Sequence, residues 1–266
     1  MQCPQGGPSP QRGGHDVAAQ AHRAQGAHLD HRGRGHRPSP LGAIPAGRSR
    51  ALRLTAPGWP VHRARATPAE LHVTDLPLSS RLVRVCSPTS AALVIGSAQR
   101  DTDVASGVEF VRRRTGGGAV LVVPDDLLWI DVVVPAGDPL WDDDVGRSFL
   151  WLGETWVAAL RSLGAEAGAY RGGFCHTRWC RLVCFAGLGP GEVAVGNRKC
   201  VGLAQRRTRA GAWFQCAALL RWDADALLAR LVVDDRDVAR AELRDAAVGL
   251  DVSAVELEQA FLSALP

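Results

Sequence analysis

The sequence predicts an α+β fold, with a sheet of many strands rather than a doubly wound array. Three observations carry this. Short apolar or alternating runs are numerous, few are separated by helix-length crossovers, and the clearest helical patterns gather toward the C-terminal end. Order begins near Trp59. Arg81–Cys86 alternates like a half-buried strand, and 91–96 reads as a buried one, with Pro88 and Thr89 marking the turn between them. Val108–Arg112 is a further strand that runs into three consecutive glycines. Beyond these, Ala119–Val123 and Leu127–Val134 read as consecutive strands joined by the turn Pro124-Asp125-Asp126.

Asp144 can cap a helix whose apolar positions Val145, Phe149, Leu152, Trp156, Leu160 and Leu163 follow helical spacing, and Gly164 stops it. The acidic run Asp142–Asp144 is read as serving this cap and the helix dipole rather than as a Mg²⁺ site. Strands return at Arg181–Phe185, Glu192–Val195, Cys200–Gln205 and Phe214–Leu220. Helices follow at Ala224–Leu231 and Ser253–Leu265, the second opened by the capping box Ser253…Glu256.

Residues 1–57 differ in kind. They are rich in Gly, Pro, Arg, His and Gln, hold five of the eight His, and contain no Trp, Tyr or Phe. Such a segment buries too little apolar surface to offset its chain entropy, so it is expected to be a disordered tail, native or the product of a non-native upstream start. The domain proper is expected at 58–266. The tail also carries the basicity: eight arginines against Asp16 and Asp30 give it +6, and the chain totals +4, so the remainder is −2. A basic tail on a near-neutral domain is poor ground for nucleic-acid binding, and no such partner is expected. No apolar run approaches the roughly eighteen residues of a membrane span, and no h-region follows the N-terminus, so a cytoplasmic location without membrane association is expected. Seven cysteines, an odd number lying partly in apolar stretches, fit a reduced setting in which most are small buried hydrophobes. The cluster Cys175-His176, Cys180, Cys184 has spacings foreign to zinc sites, and no metal site is assigned.

Two stretches can carry chemistry. In Arg112-Arg-Arg-Thr-Gly-Gly-Gly-Ala-Val120, three residues without Cβ let the backbone approach a ligand, and the arginines before them could hold a phosphate or carboxylate. A hairpin turn with solvated arginines would read the same way. The second is Val195-Gly-Asn-Arg-Lys-Cys-Val-Gly-Leu-Ala-Gln205. Lys199 is the one lysine among 31 basic residues, which suggests a site needing a compact ammonium that arginine cannot supply, although chance survival gives the same pattern.

In this order and about eighty residues apart, these stretches resemble the lipoate–protein ligase A / octanoyltransferase family. The resemblance starts at Val94-Ile-Gly-Ser-Ala-Gln99, continues through Arg113-Arg-Thr-Gly-Gly-Gly-Ala-Val120 and G-x-R-K-x-x-G-x-A (Gly196 to Ala204), and covers residues from about 59 to 266. It implies a biotin/lipoate-ligase-like, mixed and largely antiparallel sheet flanked by helices, with the acyl chain in an apolar tunnel. The binding residues implied are Gln99, Arg113, Arg114, Thr115, Gly116, Gly117, Gly118, Ala119, Gly196, Gly202 and Ala204, with Arg114 near the phosphate. Lys199 is implied to contact the acyl carbonyl and bridging oxygen. The activity implied is lipoate–protein ligation: ATP and Mg²⁺ activate lipoate or octanoate as the acyl-adenylate, which passes to a lysine of a lipoyl carrier domain, of the 2-oxoacid dehydrogenase E2 or glycine-cleavage H protein type.

The departures point to an alternative. The family's Asn-Asp pair reads Cys-Phe-Ala-Gly-Leu-Gly at 184–189, with no acid until Glu192; Val122 and Val123 stand where a His follows GGGAV; and the later His-Gly reads Cys216-Ala217. The small C-terminal domain of the full-length ligase is also not expected. The alternative is an octanoyltransferase needing no cofactor, which takes octanoate from acyl carrier protein through a cysteine thioester, with Cys216 the first candidate and Cys184 and Cys200 behind it. A family member that only binds acyl groups or carriers, and biotin ligation, are further readings.

Overall fold

The computed structural model describes residues 58–266. The expectations for residues 1–57 lie outside the described residues. Ten strands and five α-helices follow one another as β1 (Val61–Ala66), α1 (Pro68–Val73), β2 (Leu82–Pro88), β3 (Ala92–Ile95), β4 (Phe110–Arg112), β5 (Val120–Val122), β6 (Leu127–Pro135), α2 (Leu150–Ser162), β7 (Ala167–Ala169), β8 (Val193–Val195), β9 (Arg198–Arg207), β10 (Gly211–Leu219), α3 (Ala224–Leu228), α4 (Arg236–Arg244) and α5 (Ala254–Ala264).

The strands form two sheets. Seven lie in the order β1-β2-β6-β10-β9-β8-β7 and three in the order β4-β3-β5. Only β1–β2 and β3–β4 pair in parallel, so the α+β expectation of a mixed, largely antiparallel sheet holds. Consecutive strands do not all pair, however. β2 and β3 fall in different sheets, as do β5 and β6, and Asp125 between the latter takes φ +66°.

Alternation sorts the long strands. Leu128, Ile130, Val132 and Val134 of β6 join Phe214, Cys216 and Ala218 of β10 in the main core, beneath Leu152, Trp156 and Leu160 of α2 and Leu257 and Phe261 of α5. The opposite face of β6 offers Leu127 and Trp129, which pack with Leu71 of α1 and with Val94 and Val122 of the small sheet. Trp129 is fixed there by a hydrogen bond to Asp131, 2.9 Å, itself paired with buried Arg84 at 2.8 Å.

Some elements lay outside the sequence reading. α1 has a full capping box between Thr67 and Glu70 with Pro68 in its first turn, and α4 is capped by Asp235. Arg181–Phe185, expected as a strand, is instead a turn at 181–182, a single Ala119–Val183 bridge to the edge of the small sheet, and the start of a 3₁₀ turn at Cys184–Ala186. Asp144 does cap, but through a 3₁₀ turn at Arg147–Phe149, by accepting from the Arg147 N–H at 2.9 Å. The box at Ser253…Glu256 forms as expected.

Candidate functional site

Between the two sheets lies a cavity with an overwhelmingly apolar lining. It runs across three adjacent strands, from Gly202 and Ala204 of β9, past Gln215 and Ala217 of β10, to Leu127 and Trp129 of β6. Two strand spacings make this about 10 Å. Val94, Val120 and Val122 form the other wall, and Cys184 and Phe185 close the β9 end.

The glycine turn builds that end. Gly117 takes φ +94°, a left-handed conformation suited to glycine. Gly118 has no room for a side chain, since a Cβ there would stand 2.6 Å from the Val183 backbone. The turn therefore lies directly on residues 182–184, joined by Ala119 N–H to Leu182 O at 2.8 Å and Cys184 N–H to Ala119 O at 3.0 Å. Arg113, 6% exposed, braces it from inside by donating to Gly116 O at 2.7 Å and Gly118 O at 2.8 Å. Its remaining Nη1 has no protein acceptor and its side chain borders the cavity. Gln99 ties the VIGxxQ strand end to the same segment, accepting from Gly96 N–H and donating to Leu182 O at 3.1 Å.

Cys184 is the thiol this arrangement presents. Among the five free cysteines of the described residues it alone is not buried. Its Sγ lies 3.9 Å from the point where a Gly117 Cβ would stand, and Arg113 Nη2 lies 2.9 Å from the same point. Cys216, the sequence's first candidate, is among the residues bordering the cavity; β10 neighbours β9, with Cys216 opposite Leu203, and its side chain packs in the main core with Trp156 and Phe214. It is 1% exposed and burial pushes the thiol well above its usual range. Cys200 is likewise buried, its thiol pushed up to about 12 by desolvation.

Lys199 is 3% exposed. Its Nζ donates to Cys184 O at 3.0 Å and Gly187 O at 3.1 Å, and pairs with Glu192 at 2.6 Å. Glu192 also accepts from the Gly189 and Leu203 N–H groups, at 2.8 and 3.1 Å. The lysine's three donors are thus all engaged by protein, and it organises the 184–192 loop from behind. Gly202 lets this pack: a Cβ there would meet Phe185 at 3.2 Å and Lys199 Cε at 3.4 Å.

Other expected residues fall in three places. Gly202 and Ala204 line the cavity. Thr115 and Ala119 support it, Thr115 by donating to Gln215 Oε1 at 3.2 Å. Gly116 offers its carbonyl to Arg113, and Gly196, at φ +59°, only forms the turn before β9. Arg114 is not among the cavity's lining residues and forms an exposed ion pair with Asp75.

His72 was not foreseen, because α1 was not. It lines the cavity, stacks on Trp129 at 4.5 Å between centroids, and meets Gln215 Nε2 through Nδ1 at 3.3 Å. Desolvation, then the charges of Arg113 and Arg84, lower its pKa to about 4, so it is a neutral wall of the cavity at pH 7. The signal that would have found it is the box Thr67-Pro-Ala-Glu70.

The described residues hold no group of three or more His, Cys, Asp or Glu that could take a metal ion, and the loop's acid, Glu192, is engaged by Lys199 and two amides.

The site is an apolar slot between two sheets, closed by a glycine turn and a lysine-braced loop. A model of the lipoyl protein ligase A/B catalytic domain matches residues 72–249, and the chain belongs to that family, whose enzymes are of the lipoate–protein ligase and octanoyltransferase type. It is similar to the octanoyltransferase LipM of Kyrpidia tusciae, 32% identical over 203 residues, covering 70% of this chain and 73% of that one. A similar octanoyltransferase LipM of Clostridioides difficile is 31% identical over 101 residues, 38% of this chain and only 36% of that one. The fold is that of the bipartite lipoate protein ligase of Thermoplasma acidophilum, at TM-score 0.58 and 22% identity over 76% of this chain and 80% of the other. A lipoate-protein ligase A structure with bound ATP superposes at 0.57, with 20% identity over 76% of this chain and 81% of the other. No helix among the described residues is long and apolar enough to cross a membrane.

Proposed function

We propose that this chain is a cysteine-dependent acyltransferase, which moves an octanoyl-type group from a thioester donor through Cys184 onto a lysine of a lipoyl carrier domain. The observation that carries this is the position of Cys184: a half-exposed thiol at the head of an apolar slot, against the glycine turn, with a buried ammonium on its own carbonyl. Similarity to octanoyltransferases over most of the chain supports the same reading.

In the first step Cys184 gives its proton to solvent and its thiolate attacks the donor's thioester carbonyl; the bond from that carbonyl to the donor sulfur breaks, and the donor leaves as a thiolate that takes a proton from solvent. The acyl group then sits on Cys184 with its chain along the slot toward Trp129. In the second step the carrier's neutral lysine amine attacks that thioester, the amide forms, Cys184 leaves as thiolate, and the amine's proton passes to solvent. The enzyme contributes position and electrostatics: Arg113 Nη1 and the Lys199 charge favour negative charge developing at the acyl oxygen. Acyl carrier protein is the donor this chemistry calls for and lipoyl domains the acceptors. Glu192, the acid of the loop, is engaged by Lys199 and two amides, and no step is routed through ATP.

The test is transfer to a purified lipoyl domain, scored by intact mass, with octanoyl-acyl carrier protein alone or with octanoate or lipoate plus ATP and Mg²⁺. Transfer from the thioester without ATP, abolished by Cys184→Ser and kept by Cys216→Ser, is the expected result. Transfer only with ATP, undiminished in Cys184→Ser, would establish the ligase instead. No added mass from either donor would leave a chain that only binds acyl groups.

A further inference from the structure

The slot ends at Trp129. β2 is the next strand of the sheet, and among the described residues none of it lines the cavity. The end wall is the His72–Trp129 stack, 4.5 Å between centroids, with one ring from α1 and one from β6. Beside it lie two charges sealed from water, Arg84 at 4% exposure and Asp131 at 0%. Asp131 accepts from Trp129 Nε1 at 2.9 Å through one oxygen and from Arg84 Nε at 2.8 Å through the other. The same guanidinium donates through Nη2 to Leu71 O at 3.0 Å, in the residue before His72. One ion pair thus ties down both halves of the wall, Trp129 by its ring and His72 by its backbone.

Stability does not call for this pair. Two buried charges are costly to desolvate, and apolar residues of similar volume often serve a core as well or better. What the pair adds is direction, because hydrogen bonds to charged groups are short and oriented whereas apolar packing is not. Rings held in this way give the slot a hard end. From β9, where Cys184 and Phe185 close the slot, to β6 is about 10 Å, or two strand spacings. An extended eight-carbon chain reaches roughly 8 Å, at the roughly 1.2 Å per bond of an extended backbone.

We infer that the buried Arg84–Asp131 pair sets the length of acyl chain the slot accepts, by holding the His72–Trp129 stack as its stop. Neither charged residue lines the cavity, so both are positioning residues. The inference rests on the acyl-slot reading and names the groups that decide chain length within it.

The test is a chain-length series of S-acyl-pantetheines, from butanoyl to dodecanoyl, bound to the full chain carrying Cys184→Ser, which cannot turn them over. Titration calorimetry gives the affinity of each. Affinity should rise about fourfold per added methylene as far as eight carbons, and fall beyond, where further methylenes meet the stacked rings. Arg84→Met with Asp131→Leu removes both charges and keeps the volume. There the rise should continue to ten carbons with the eight-carbon affinity little changed. Where that variant does not fold, Arg84→Met with Asp131→Asn keeps the Trp129 hydrogen bond and cuts only the tie to Leu71, and the limit should move likewise. Trp129→Leu, which leaves the ion pair in place and removes the ring, should lengthen the accepted chain as well. A limit that stays at eight carbons in the charge-free variants or in Trp129→Leu would overturn the inference. So would an equal loss of affinity at every length, which is the mark of a purely structural role, or a wild type without a limit. Binding of no chain at any length would remove the acyl-slot reading itself, so the two failures are told apart.

Discussion

His72 has a folded pKa of about 4 against an unfolded value of 6.5, because its imidazole is buried beside two guanidinium groups. The folded-state value is depressed, so the stability it represents is complete above pH 6.5 and falls as the unfolded chain takes up a proton that the folded chain refuses. The fall ends near pH 4 and amounts to on the order of 3 kcal/mol. Melting temperature should therefore drop between pH 7 and 4.5 in the wild type and drop measurably less in His72→Gln. Equal slopes would show that the imidazole is not buried as described. The Lys199–Glu192 pair poses a different question. Lys199→Met strands a buried carboxylate and should cost about 3–5 kcal/mol by chemical denaturation. Adding Glu192→Leu should recover much of this stability, because the stranded charge is removed, without recovering acyl transfer. Recovery of transfer as well would mean that the lysine serves only the fold.

The glycine turn and the 182–192 loop act as one element, since each supplies the other's hydrogen-bond partners. Gly118 is its tightest point. Gly118→Ala would push a methyl group into the Val183 backbone, costing about 1–3 kcal/mol if the segments separate to accept it. Transfer should fall further than stability does, because separation moves Cys184 away from Gly117. The check is kcat for transfer beside the denaturation midpoint; a loss of stability with unchanged kcat would uncouple turn from thiol. Gly116→Ala, where a Cβ meets nothing within 4 Å, is the control and should be nearly silent.

Across the whole molecule, one face of the seven-stranded sheet is spent on stability and the other on the slot. α2 and α5 seal the first, with Trp156 and Phe261 stacked 4.3 Å apart and both fully buried. Phe261→Ala should cost about 3–5 kcal/mol, a fall in melting temperature on the order of 10 °C for a domain of this size. Calorimetry should still show one transition. An acyl chain in the slot should raise the melting temperature of wild type and Phe261→Ala alike, since the two faces are separated by the sheet.

Local pattern was enough for much of this. The long strands β6, β9 and β10, the helices α2 and α5, and the Ser253 cap were legible because alternation, 3.6-residue spacing and capping chemistry act within a few residues. The two motifs stand out for the same reason, since glycines and a lone lysine are visible as residues, and both contribute to the lining of the cavity. Partnership was not. That β2 and β3 part into separate sheets, that 181–185 is held by one bridge instead of a ladder, and that α1 brings His72 to Trp129 depend on contacts between distant segments. The choice between thiols turned on the same point. Sequence placed Cys216 beside the lysine strand, correctly, but only the packed sheet decides which face is slot and which is core. That face rule buries Cys216 under α2 and leaves Cys184, on an irregular loop free of strand alternation, lining the cavity.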